Sequence, residues 1–506
     1  MKYLLTNEEM READVYTIHV LGTPSLILME RAGVALANEA EKLTNTGAVL
    51  CVCGGGNNGG DGFVCARILQ TRGYDVDVLF FAEKLSKDCA HNKDRWTEIG
   101  GRIYEDFPKK EYAIIVDCLF GTGFHGGLDG KNLSAIKEIN ARKNGGVKVL
   151  SADIPSGLGG GNGRAETDAV CADVTLCIGE YKIGAFLQDG LDYAGEVKRV
   201  DIGISLLETD GEARGFSYVE LADAESVKKL LPKRKRNSHK GSYGRVAIVA
   251  GSLEYTGAAY LSAAACLRSG VGYTTLYLPN GILPYYLLKA PEILIKESNG
   301  GDRYAFNEEK MSELLVYDAV AYGMGMGISE QVAQGAEYLL KHYAGKLLLD
   351  ADGLNSLAQY RTGGLRALLR EKKCEVILTP HVKEFSRLSG LPVEKVINDG
   401  LGLARAFAKE TCATVLLKGA SSIVTDGKKT VLVASGNSGL AKGGSGDVLS
   451  GVIAGLCASG ASVFDSGVCG CFLIGKTAEL GAAQKGEYSL TATDVISYLG
   501  GAFLSI

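Results

Sequence analysis

Apolar runs rich in β-branched residues alternate with helical patterns along the whole chain. In the first part, the runs that predict strands are GAVLCVC, YDVDVLFFA, YAIIVDCLFG, VKVLSADIPSG and DVTLCIG. Runs that are apolar at nearly every position are typical of parallel strands covered by helices on both faces. The first part is therefore predicted to be an α/β domain, with its polar and glycine-rich turns at the carboxyl ends of the strands, where such sheets bind ligands.

A second series of strand-like runs begins after the pattern weakens around residues 205–240. Its members are GRVAIVAGS, GYTTLYLP, DAVAYGMGMG, KLLLDADG, CEVILTP, ATVLLKGA, SSIVTDG and TVLVASGN. A chain of 506 residues has room for two or three domains. We therefore predict two α/β domains, residues 1–215 and 216–506.

Composition and charge narrow the class of protein. The chain is 46% apolar and 22% charged, which is typical of globular proteins, and its net charge of −5 does not favour nucleic acid or an anionic membrane as a partner. The basic stretch PKRKRNSHK (232–240) is either a solvated connector or a few cations near an anionic ligand. The start lacks the apolar core of a signal peptide, and no run approaches the roughly 18 apolar residues of a membrane span. These features predict a cytoplasmic protein.

Two patterns suggest chemistry that we do not expect. The thirteen cysteines show no C-x-x-C pair, so reduced structural thiols are favoured over zinc or disulfides. GCFLIGKT (470–477) fits the P-loop pattern, but its middle positions are apolar and lie inside a long helical pattern. A phosphate-binding P-loop needs a glycine-rich turn between a strand and a helix. We therefore look elsewhere for the anion site.

The segment SGNSGLAKGGSGDVLSGVIAGL (435–456) passes from a strand through a glycine-rich loop into an apolar helix. Free N–H groups at a helix start can hold the charge of a phosphate. Asp447 stands at that start. It is either a helix-capping residue or, as we favour, a base that takes a proton from a hydroxyl attacking a phosphoryl group.

This segment resembles the signature of the ribokinase-like superfamily. Together with NSHKGSYGRVAIVAGS (237–252), TGAAYLSAAACLRSGVGY (256–273), TPHVKEFSRL (379–388) and LLKGASSIVTDG (416–427), it resembles ADP-dependent NAD(P)H-hydrate dehydratases. The resemblance implies a ribokinase-like α/β domain that uses ADP and Mg²⁺. It places the hydrated nicotinamide near Ala258, Gly325, His381 and Asp447. It implies nucleotide contacts from Lys418, Gly419, Ala420, Ser421, Ser422 and Gly446.

Three positions in this half stay open. Asp350 and Asp352 in LLLDADG either serve magnesium or ligand, or are solvated carboxylates at a strand end. GMGMG (323–327) stands where relatives have G-P-G-L-G, which puts the rigidity of that loop in doubt. Lys442 occupies a position that is small or threonine in relatives, so an altered phosphate affinity is one expectation.

In the first half, GGGNNGGDGFVCARIL (54–69) again runs from a strand through a glycine turn into a helix. Asn57, Asn58 and Asp61 supply side-chain oxygens there, and Asp117 and Ser156 lie at neighbouring strand ends. Oxygen-rich sets suit hard cations. Turn chemistry alone also explains one such motif, but three motifs at successive strand ends favour a site.

GGGNNGGDGFVCAR, VDCLFGTG, DIPSG and KIGAF occur in an order that resembles NAD(P)H-hydrate epimerase domains, which implies a Rossmann-like parallel-sheet sandwich. The resemblance implies a potassium ion held by Asn58, Asp117 and Ser156. Asp153 is our choice for the proton-handling group, because a carboxylate that ends a buried strand can have a raised pKa. After DIPSG the chain has LGGGNG where relatives offer an Asp, so that loop is expected to be less well anchored. The implied substrate contacts are Asn57, Asn58, Gly59, Gly60, Asp61, Gly121, Thr122, Gly123, Phe124, His125, Gly126, Gly127 and Asp153.

Both halves together resemble the bifunctional NAD(P)H-hydrate repair enzymes. That family implies epimerisation of NADHX and NADPHX in the first domain and dehydration of the S epimer in the second, as ADP becomes AMP and phosphate. We also expect a homo-oligomer. Two alternatives remain: the second domain is a small-molecule kinase of the same superfamily, or the first is a non-catalytic binding module.

Overall fold

The computed structural model describes residues 2–123, 128, 130–206, 219–287 and 290–506. The chain divides into two compact units, one of Tyr3–Val219 and one that includes Glu220–Ile506. The predicted boundary between residues 215 and 216 falls in 207–218, outside the described residues. Among the helices of the described residues, none is both long and apolar enough to cross a membrane.

The N-terminal unit alternates strands and helices. Its elements are β1 (Lys2–Leu5), α1 (Asn7–His19), α2 (Ser25–Leu43), β2 (Val49–Cys53), α3 (Asn57–Thr71), β3 (Val76–Phe80), α4 (Lys87–Glu98), β4 (Arg102–Tyr104), β5 (Ile114–Cys118), α5 (Gly130–Asn144), β6 (Lys148–Ala152), β7 (Val174–Ile178), β8 (Tyr181–Lys182), α6 (Gly190–Tyr193) and β9 (Glu196–Val200). Seven strands form a parallel sheet in the order β4-β3-β2-β5-β6-β7-β9. The five predicted strands are its centre, and β4 and β9 were not predicted.

Strand β2 shows why helices cover both faces of this sheet. Cys51 and its alternate neighbours belong to an apolar cluster that includes Leu36 of α2 and Phe63 of α3. Leu50 and Val52 point the other way, into a cluster with α5. All five residues of β2 are buried. The run VLCVC is therefore apolar throughout because both of its faces lie in the core.

The C-terminal unit contains more strands and helices than the N-terminal unit among the described residues. Its elements are β10 (Val219–Leu221), α7 (Ala224–Leu230), β11 (Arg245–Val249), α8 (Thr256–Leu267), β12 (Tyr273–Leu278), β13 (Leu294–Glu297), α9 (Glu308–Ser312), β14 (Ala319–Tyr322), α10 (Glu330–His342), β15 (Lys346–Leu349), α11 (Ala351–Tyr360), α12 (Leu365–Arg370), β16 (Glu375–Leu378), α13 (Val382–Ser389), α14 (Val393–Asn398), α15 (Gly400–Thr411), β17 (Thr414–Leu417), β18 (Ser422–Thr425), β19 (Thr430–Val433), α16 (Ser445–Ala458), α17 (Val463–Lys485) and α18 (Ala492–Leu504).

The strand order in this unit is β13-β12-β11-β14-β15-β16-β17-β18-β19. Pairing is parallel from β13 to β17 and antiparallel from β17 to β19. Val246 and Ile248 of β11 pack in one large cluster with α8, α16 and α17, and the alternate residue Ala247 is buried as well. The eight predicted strands are all present, and the polar edge strand β13 was missed.

Helix α17 excludes a P-loop at residues 470–477. Residues 470–477 lie in the middle of it, and most of them are buried. The Lys476 ammonium pairs with Glu479, 2.6 Å away, and the Thr477 hydroxyl donates to the carbonyl of Ile474. The segment is one continuous helix, as predicted, so its amides are bonded within the helix rather than directed at a phosphate.

Candidate active sites

A cavity of about 690 Å³ lies in the N-terminal unit at the carboxyl ends of β2, β5 and β6. The turn after β2 contributes Gly55 and Gly56, and the helix that follows begins at Asn57. A Cβ atom on Gly59 would lie 1.8 Å from the carbonyl oxygen of Gly54, so only glycine lets α3 begin so close to the turn. This packing brings the first turn of α3 to the cavity wall.

The structure brings most of the predicted epimerase residues to this cavity. Asn57, Asn58, Asp61, Gly121, Thr122, Gly123 and Asp153 line it. Gly59 and Gly60 are buried in the first turn of α3, and the predicted residues Phe124, His125, Gly126 and Gly127 lie outside the described residues. A Cβ atom on Gly121 would be 3.3 Å from the Cβ of Asn58 and 3.5 Å from an Asp153 carboxylate oxygen, so these residues meet at one point.

Asp153 is held in an unusual backbone conformation beside a buried lysine. Its φ of 68° is in the left-handed region, which Asp tolerates better than most residues. The Lys182 ammonium contacts the Asp153 carboxylate and donates to the carbonyl of Ile178. Only 1% of the Lys182 side chain is exposed. This buried ammonium gives the Asp153 carboxylate a counter-ion at the cavity wall.

Two further carboxyls in the cavity have raised pKa values. Burial, and then the charges of Asp153 and Asp14, raise the pKa of Asp61 well above its usual range. Burial raises the pKa of Asp14 to about 6, although the charge of Lys182 opposes the shift. Sequence reasoning missed Asp14. The signal was the spacing Met10, Asp14, Ile18, which puts one acid between apolar residues on one face of α1.

The predicted potassium ligands show contrasting environments. Asp117 is fully buried, and its carboxylate accepts hydrogen bonds from the Ser151 hydroxyl at 2.8 Å and from the hydroxyl and backbone N–H of Ser156 at 2.5 and 2.9 Å. Burial raises the pKa of Asp117 even though these bonds oppose the shift. Asn58 is also buried, but neither polar atom of its amide has a hydrogen-bond partner among the described residues.

The LGGGNG loop is anchored through its backbone. Gly163 N–H donates to the carbonyl of Gly159 at 2.7 Å, and Gly184 N–H donates to the carbonyl of Gly160 at 2.8 Å. A Cβ atom on Gly160 would lie 2.2 Å from the side-chain oxygen of Asn7. Close backbone packing therefore holds this loop, and the expected weaker anchoring was wrong.

In the C-terminal unit, the glycine-rich loop after β19 leads into α16 as predicted. The helix is preceded by Gly444, whose φ of 95° lies in the left-handed region. Asp447 is the third residue of the helix and is half-buried. Its carboxylate makes no hydrogen bond within the described part of the chain, so it does not cap α16. Burial, and then the charge of Asp350, raise the pKa of Asp447 to about 7 against the effect of Lys418.

Lys418 and Asp350 form the centre of this site. The Lys418 ammonium is 2.7 Å from one oxygen of Asp350 and 3.9 Å from Glu384. The other oxygen of Asp350 accepts from the Ser450 hydroxyl at 2.6 Å. Burial lowers the pKa of Lys418, but the neighbouring carboxylates outweigh it and the net pKa is raised. A Cβ atom on Gly446 would be 3.6 Å from the ammonium, so Lys418 lies against the start of α16.

These contacts settle the open alternative for Asp350. It is 2% exposed and fully paired, so it is not a solvated carboxylate. The Asp352 carboxylate accepts a hydrogen bond from the backbone N–H of Gly327 at 2.8 Å. Burial, and also the charge of Asp350, raise the pKa of Asp352, although the bond from Gly327 opposes the shift. Asp352 therefore ties the GMGMG loop to the start of α11.

The GMGMG loop keeps its conformation through its glycines and buried methionines. Gly323, Gly325 and Gly327 all have φ between 64° and 121°, and both methionines are buried. A Cβ atom on Gly325 would lie 2.8 Å from the Cβ of Ala258, so these two predicted substrate-binding residues are in contact. These contacts hold the loop although it contains no proline.

His381 both caps a helix and lies beside the lysine. The ring nitrogen Nδ1 of His381 accepts a hydrogen bond from the backbone N–H of Lys383 at 3.1 Å, at the start of α13. The backbone N–H of His381 donates to the Glu384 carboxylate at 2.9 Å. Backbone pairing puts His381 next to Lys418. Burial, and then the charge of Lys418, lower the pKa of His381, so its imidazole is neutral at pH 7.

The remaining predicted nucleotide contacts follow β17. Gly419 and Ala420 are exposed, Ser422 begins β18, and the hydroxyl of Ser421 is buried without a hydrogen-bond partner among the described residues. Lys442 is engaged elsewhere, because its ammonium donates to the carbonyls of Tyr488 at 2.6 Å and Leu490 at 2.7 Å.

Comparisons with known proteins cover both units. Residues 246–500 match a family described as NAD(P)H-hydrate dehydratase, and residues 25–184 match one described as YjeF-related protein N-terminus. The chain is 33% identical over 510 residues to the bifunctional NAD(P)H-hydrate repair enzyme Nnr of Thermofilum pendens, covering 97% of this chain and 94% of that one. It is 32% identical over 522 residues to the enzyme of the same name from Moorella thermoacetica, covering 98% and 96%.

Among solved structures, the chain is similar to the ADP/ATP-dependent NAD(P)H-hydrate dehydratase from Bacillus subtilis co-crystallised with ATP/Mg²⁺. That structure is 28% identical, covers 57% of this chain and 98% of its own, and superposes with a TM-score of 0.49. The relatives from Thermofilum and Moorella match almost from end to end and span both units. The chain belongs to the family of bifunctional NAD(P)H-hydrate repair enzymes.

Proposed function

We propose that this chain repairs hydrated nicotinamide cofactors in two steps, one in each unit. The N-terminal unit interconverts the R and S epimers of NADHX and NADPHX. The C-terminal unit converts the S epimer to NAD(P)H while ADP becomes AMP and phosphate. The observation that carries the second step is the position of Asp447. It stands in the first turn of α16 with a carboxylate free of hydrogen bonds from the described residues, directly after Gly446, which lies against the Lys418 ammonium.

The dehydration proceeds by phosphoryl transfer and elimination. Asp447 accepts the proton of the C6 hydroxyl as that oxygen bonds to the terminal phosphorus of ADP and the bond from this phosphorus to AMP breaks. The C6–O bond then breaks, with the electron pair of the ring nitrogen assisting, and phosphate leaves. Loss of a proton from C5 restores the double bond of NAD(P)H. Phosphate leaves far more readily than hydroxide, which is why the reaction consumes a nucleotide.

The first turn of α16 suits the phosphate. Its amide N–H groups have no partners earlier in the helix, and the glycines before Asp447 allow close approach. Lys418, Gly419, Ala420, Ser421, Ser422 and Gly446 are proposed to contact the nucleotide. Ala258, Gly325 and His381 are proposed to contact the hydrated ring. A neutral imidazole at His381 would donate or accept a hydrogen bond without adding a charge beside Lys418.

Magnesium and potassium are proposed for the two units. Within the described residues, no group of three or more His, Cys, Asp or Glu side chains is arranged to hold a metal. Mg²⁺ would come with the nucleotide and would neutralise phosphate charge there. The buried, unpartnered amide oxygen of Asn58 fits a potassium ligand, with Asp117 and Ser156 as the further oxygens.

Two alternatives are not favoured. A small-molecule kinase fused to a binding domain would share the glycine loop and the base, but the full-length relatives are named as bifunctional repair enzymes. The second alternative, that the N-terminal unit binds without catalysis, leaves the carboxyls and the ammonium that line the cavity without a role. A cytoplasmic location and assembly as a homo-oligomer stay predictions.

The test is to mix a racemic hydrate with the full chain and ADP and to follow the return of reduced-nicotinamide absorbance. We expect complete recovery, faster than spontaneous epimerisation allows. A halt near half recovery would mean that the N-terminal unit only binds. No recovery would contradict the dehydratase assignment.

A further inference from the structure

The N-terminal cavity is lined by carboxyls that come from separate elements. Asp14 lies on α1, Asp61 on α3, and Asp153 follows β6. Asp88, in the first turn of α4, also reaches the wall. Lys182 of β8 is the cation among them, and its contact is with Asp153. Asp153 therefore has a counter-ion in contact, and Asp14 and Asp61 share the cavity with that pair.

Asn58 also indicates that this cavity holds a ligand, because a potassium ion at its amide oxygen would still leave its amide nitrogen without a partner among the described residues. It is 9% exposed and lines the cavity, and both polar atoms of its amide lack partners within the described residues. Leaving such a group unsatisfied costs about 1–3 kcal/mol, so it is expected to bind something in the working protein. The carboxyls are thus placed around a polar ligand rather than merely exposed to solvent.

The proposal rests on the epimerase function given above. We propose that Asp14 is the proton donor of the epimerisation and that it works with Asp153, the proton acceptor, so that the two carboxyls address the two faces of C6. Lys182 is a positioning residue that holds the Asp153 carboxylate in place through their ion pair. Asp61 stays protonated and donates a hydrogen bond to the substrate.

The environments of the carboxyls support this division. The Lys182 ammonium is in contact with the Asp153 carboxylate, which fixes that carboxylate at the cavity wall. Burial and the charge of Asp153 raise the pKa of Asp14 to about 6, near the pH at which a group both gives and takes a proton efficiently. Burial raises the pKa of Asp61 much further, which suits a permanent donor. Carboxyls that share one site but differ in environment commonly take different roles in acid–base catalysis.

The proposed step exchanges one water for another at C6. Protonated Asp14 gives its proton to the C6 hydroxyl, the C6–O bond breaks, and water leaves as the ring nitrogen's electron pair forms the N1=C6 double bond. A second water adds to C6 from the other face, and Asp153 takes its proton. One water leaves and one enters, and the protonation states of Asp14 and Asp153 are exchanged. The enzyme is then ready to run the reverse epimerisation.

The test uses the full chain, the purified R epimer and no ADP, with chromatographic measurement of the S epimer formed. Asp14→Asn keeps the size of the side chain but cannot donate a carboxyl proton. The matched control is Glu8→Gln, an exposed acid in the first turn of the same helix. Both variants are first compared with the wild type by circular dichroism and thermal unfolding.

We expect Asp14→Asn to slow epimerisation by about 10²–10⁴. The wild-type rate should fall as pH rises above about 6, where Asp14 loses its proton, and the residual rate of the variant should lack that fall. Oxygen from labelled water should enter C6 with each epimerisation. Glu8→Gln should match the wild type.

Two results would overturn the proposal. One is an Asp14→Asn variant that epimerises within about threefold of the wild type. The other is a slower variant that keeps the wild-type decline with pH, since a merely structural loss would leave the profile unchanged. Failure of the wild type to epimerise would instead contradict the proposed function of the unit, so the two failures are distinguishable.

Discussion

The two sites use the same parts in different roles. In each unit a lysine pairs with a carboxylate at a strand end, Lys182 with Asp153 and Lys418 with Asp350. In each unit another carboxyl with a raised pKa stands near a helix start, Asp61 in α3 and Asp447 in α16. The similarity follows from the geometry of parallel sheets, which collects strand ends and helix starts along one edge.

The difference lies in how open each paired carboxyl is to a substrate. Asp350 is 2% exposed and both of its oxygens accept hydrogen bonds, from Lys418 and Ser450, so it is enclosed by protein groups. Asp153 is more open and lines the cavity. The lysine–aspartate pair therefore does not mark the same proposed role in both units. The proposed proton acceptor belongs to the pair in the N-terminal unit, Asp153, and lies outside it in the C-terminal unit, Asp447.

The largest expected effect is on dehydration alone, and it comes from a substitution at Asp447. Asp447→Asn should slow dehydration of the S epimer by about 10²–10⁴, because the amide cannot accept the hydroxyl proton. Epimerisation of the R form by the same variant should be unchanged. Both are measured on the full chain, the first by absorbance with ADP and the second by chromatography without it.

The control for that variant is Asp465→Asn. Asp465 also stands in the first turn of a helix, where it bonds the Ser462 hydroxyl at 2.8 Å as part of the cap of α17. If Asp447 acted only through the helix dipole, the two variants would behave alike. Equal, modest losses of stability with full activity in both would remove Asp447 from the mechanism.

The pH dependence should have opposite signs at the two sites. Dehydration needs ionised Asp447, so kcat/KM should rise about tenfold per pH unit below about 7 and level off above it. Epimerisation needs protonated Asp14, so its rate should fall above about 6. The comparison is tested by measuring the rates of the two reactions separately from about pH 5 to about pH 9. Parallel profiles would show that one shared group controls both, contrary to the division argued above.

The central strands were predictable from the sequence because they are buried on both faces. The edge strands were not. β4, β9 and β13 alternate between exposed and half-buried residues, so they lack a continuous apolar run. An edge strand forms because a neighbour is already in place, and that neighbour is distant in the sequence.

The residues of the candidate sites also divide into those that the sequence predicts and those that only the fold brings together. Asp447 and Asp153 are candidates from the sequence because each belongs to a local motif of glycines and polar residues. The sequence does not show the pairing of Asp350, because its partners, Lys418 and Ser450, are 68 and 100 residues away. Asp14 lies in an ordinary amphipathic helix, and only the fold shows that its neighbours across the cavity are carboxyls.

A smaller effect is expected at Asn58. Replacing its unsatisfied amide with Leu should leave the unfolding temperature of the N-terminal unit in potassium-free buffer unchanged or raise it by about 2–4 °C. The stabilisation of the wild type by added K⁺ should disappear in this variant, because the proposed ligand oxygen is gone. Thermal unfolding in choline and potassium salts measures both.

The matched control is Asn140→Leu. The Asn140 amide is satisfied at both ends, by the carbonyl of Ala169 at 2.9 Å and the N–H of Cys171 at 2.8 Å. Its loss should destabilise the unit in either salt and keep the response to K⁺. If Asn58→Leu responded to K⁺ as the wild type does, the potassium site would not include Asn58.

The smallest effect concerns Lys442, a cation in the glycine loop that has no counterpart in the described turn before α3. Lys442→Ala should keep dehydratase kcat/KM and the KM for ADP within about threefold, while lowering the free energy of unfolding by about 1 kcal/mol. The reason is that its ammonium already bonds the carbonyls of Tyr488 and Leu490, which fixes the loop before α18. Steady-state kinetics test the effect on catalysis, and denaturant unfolding tests the effect on stability.

A KM for ADP that rises tenfold or more, about 1.4 kcal/mol of lost binding, would mean that Lys442 leaves the carbonyls of Tyr488 and Leu490 for the phosphate. In that case the C-terminal site would need a mobile cation that the N-terminal site lacks, and the two glycine turns would differ in mechanism as well as in their bases.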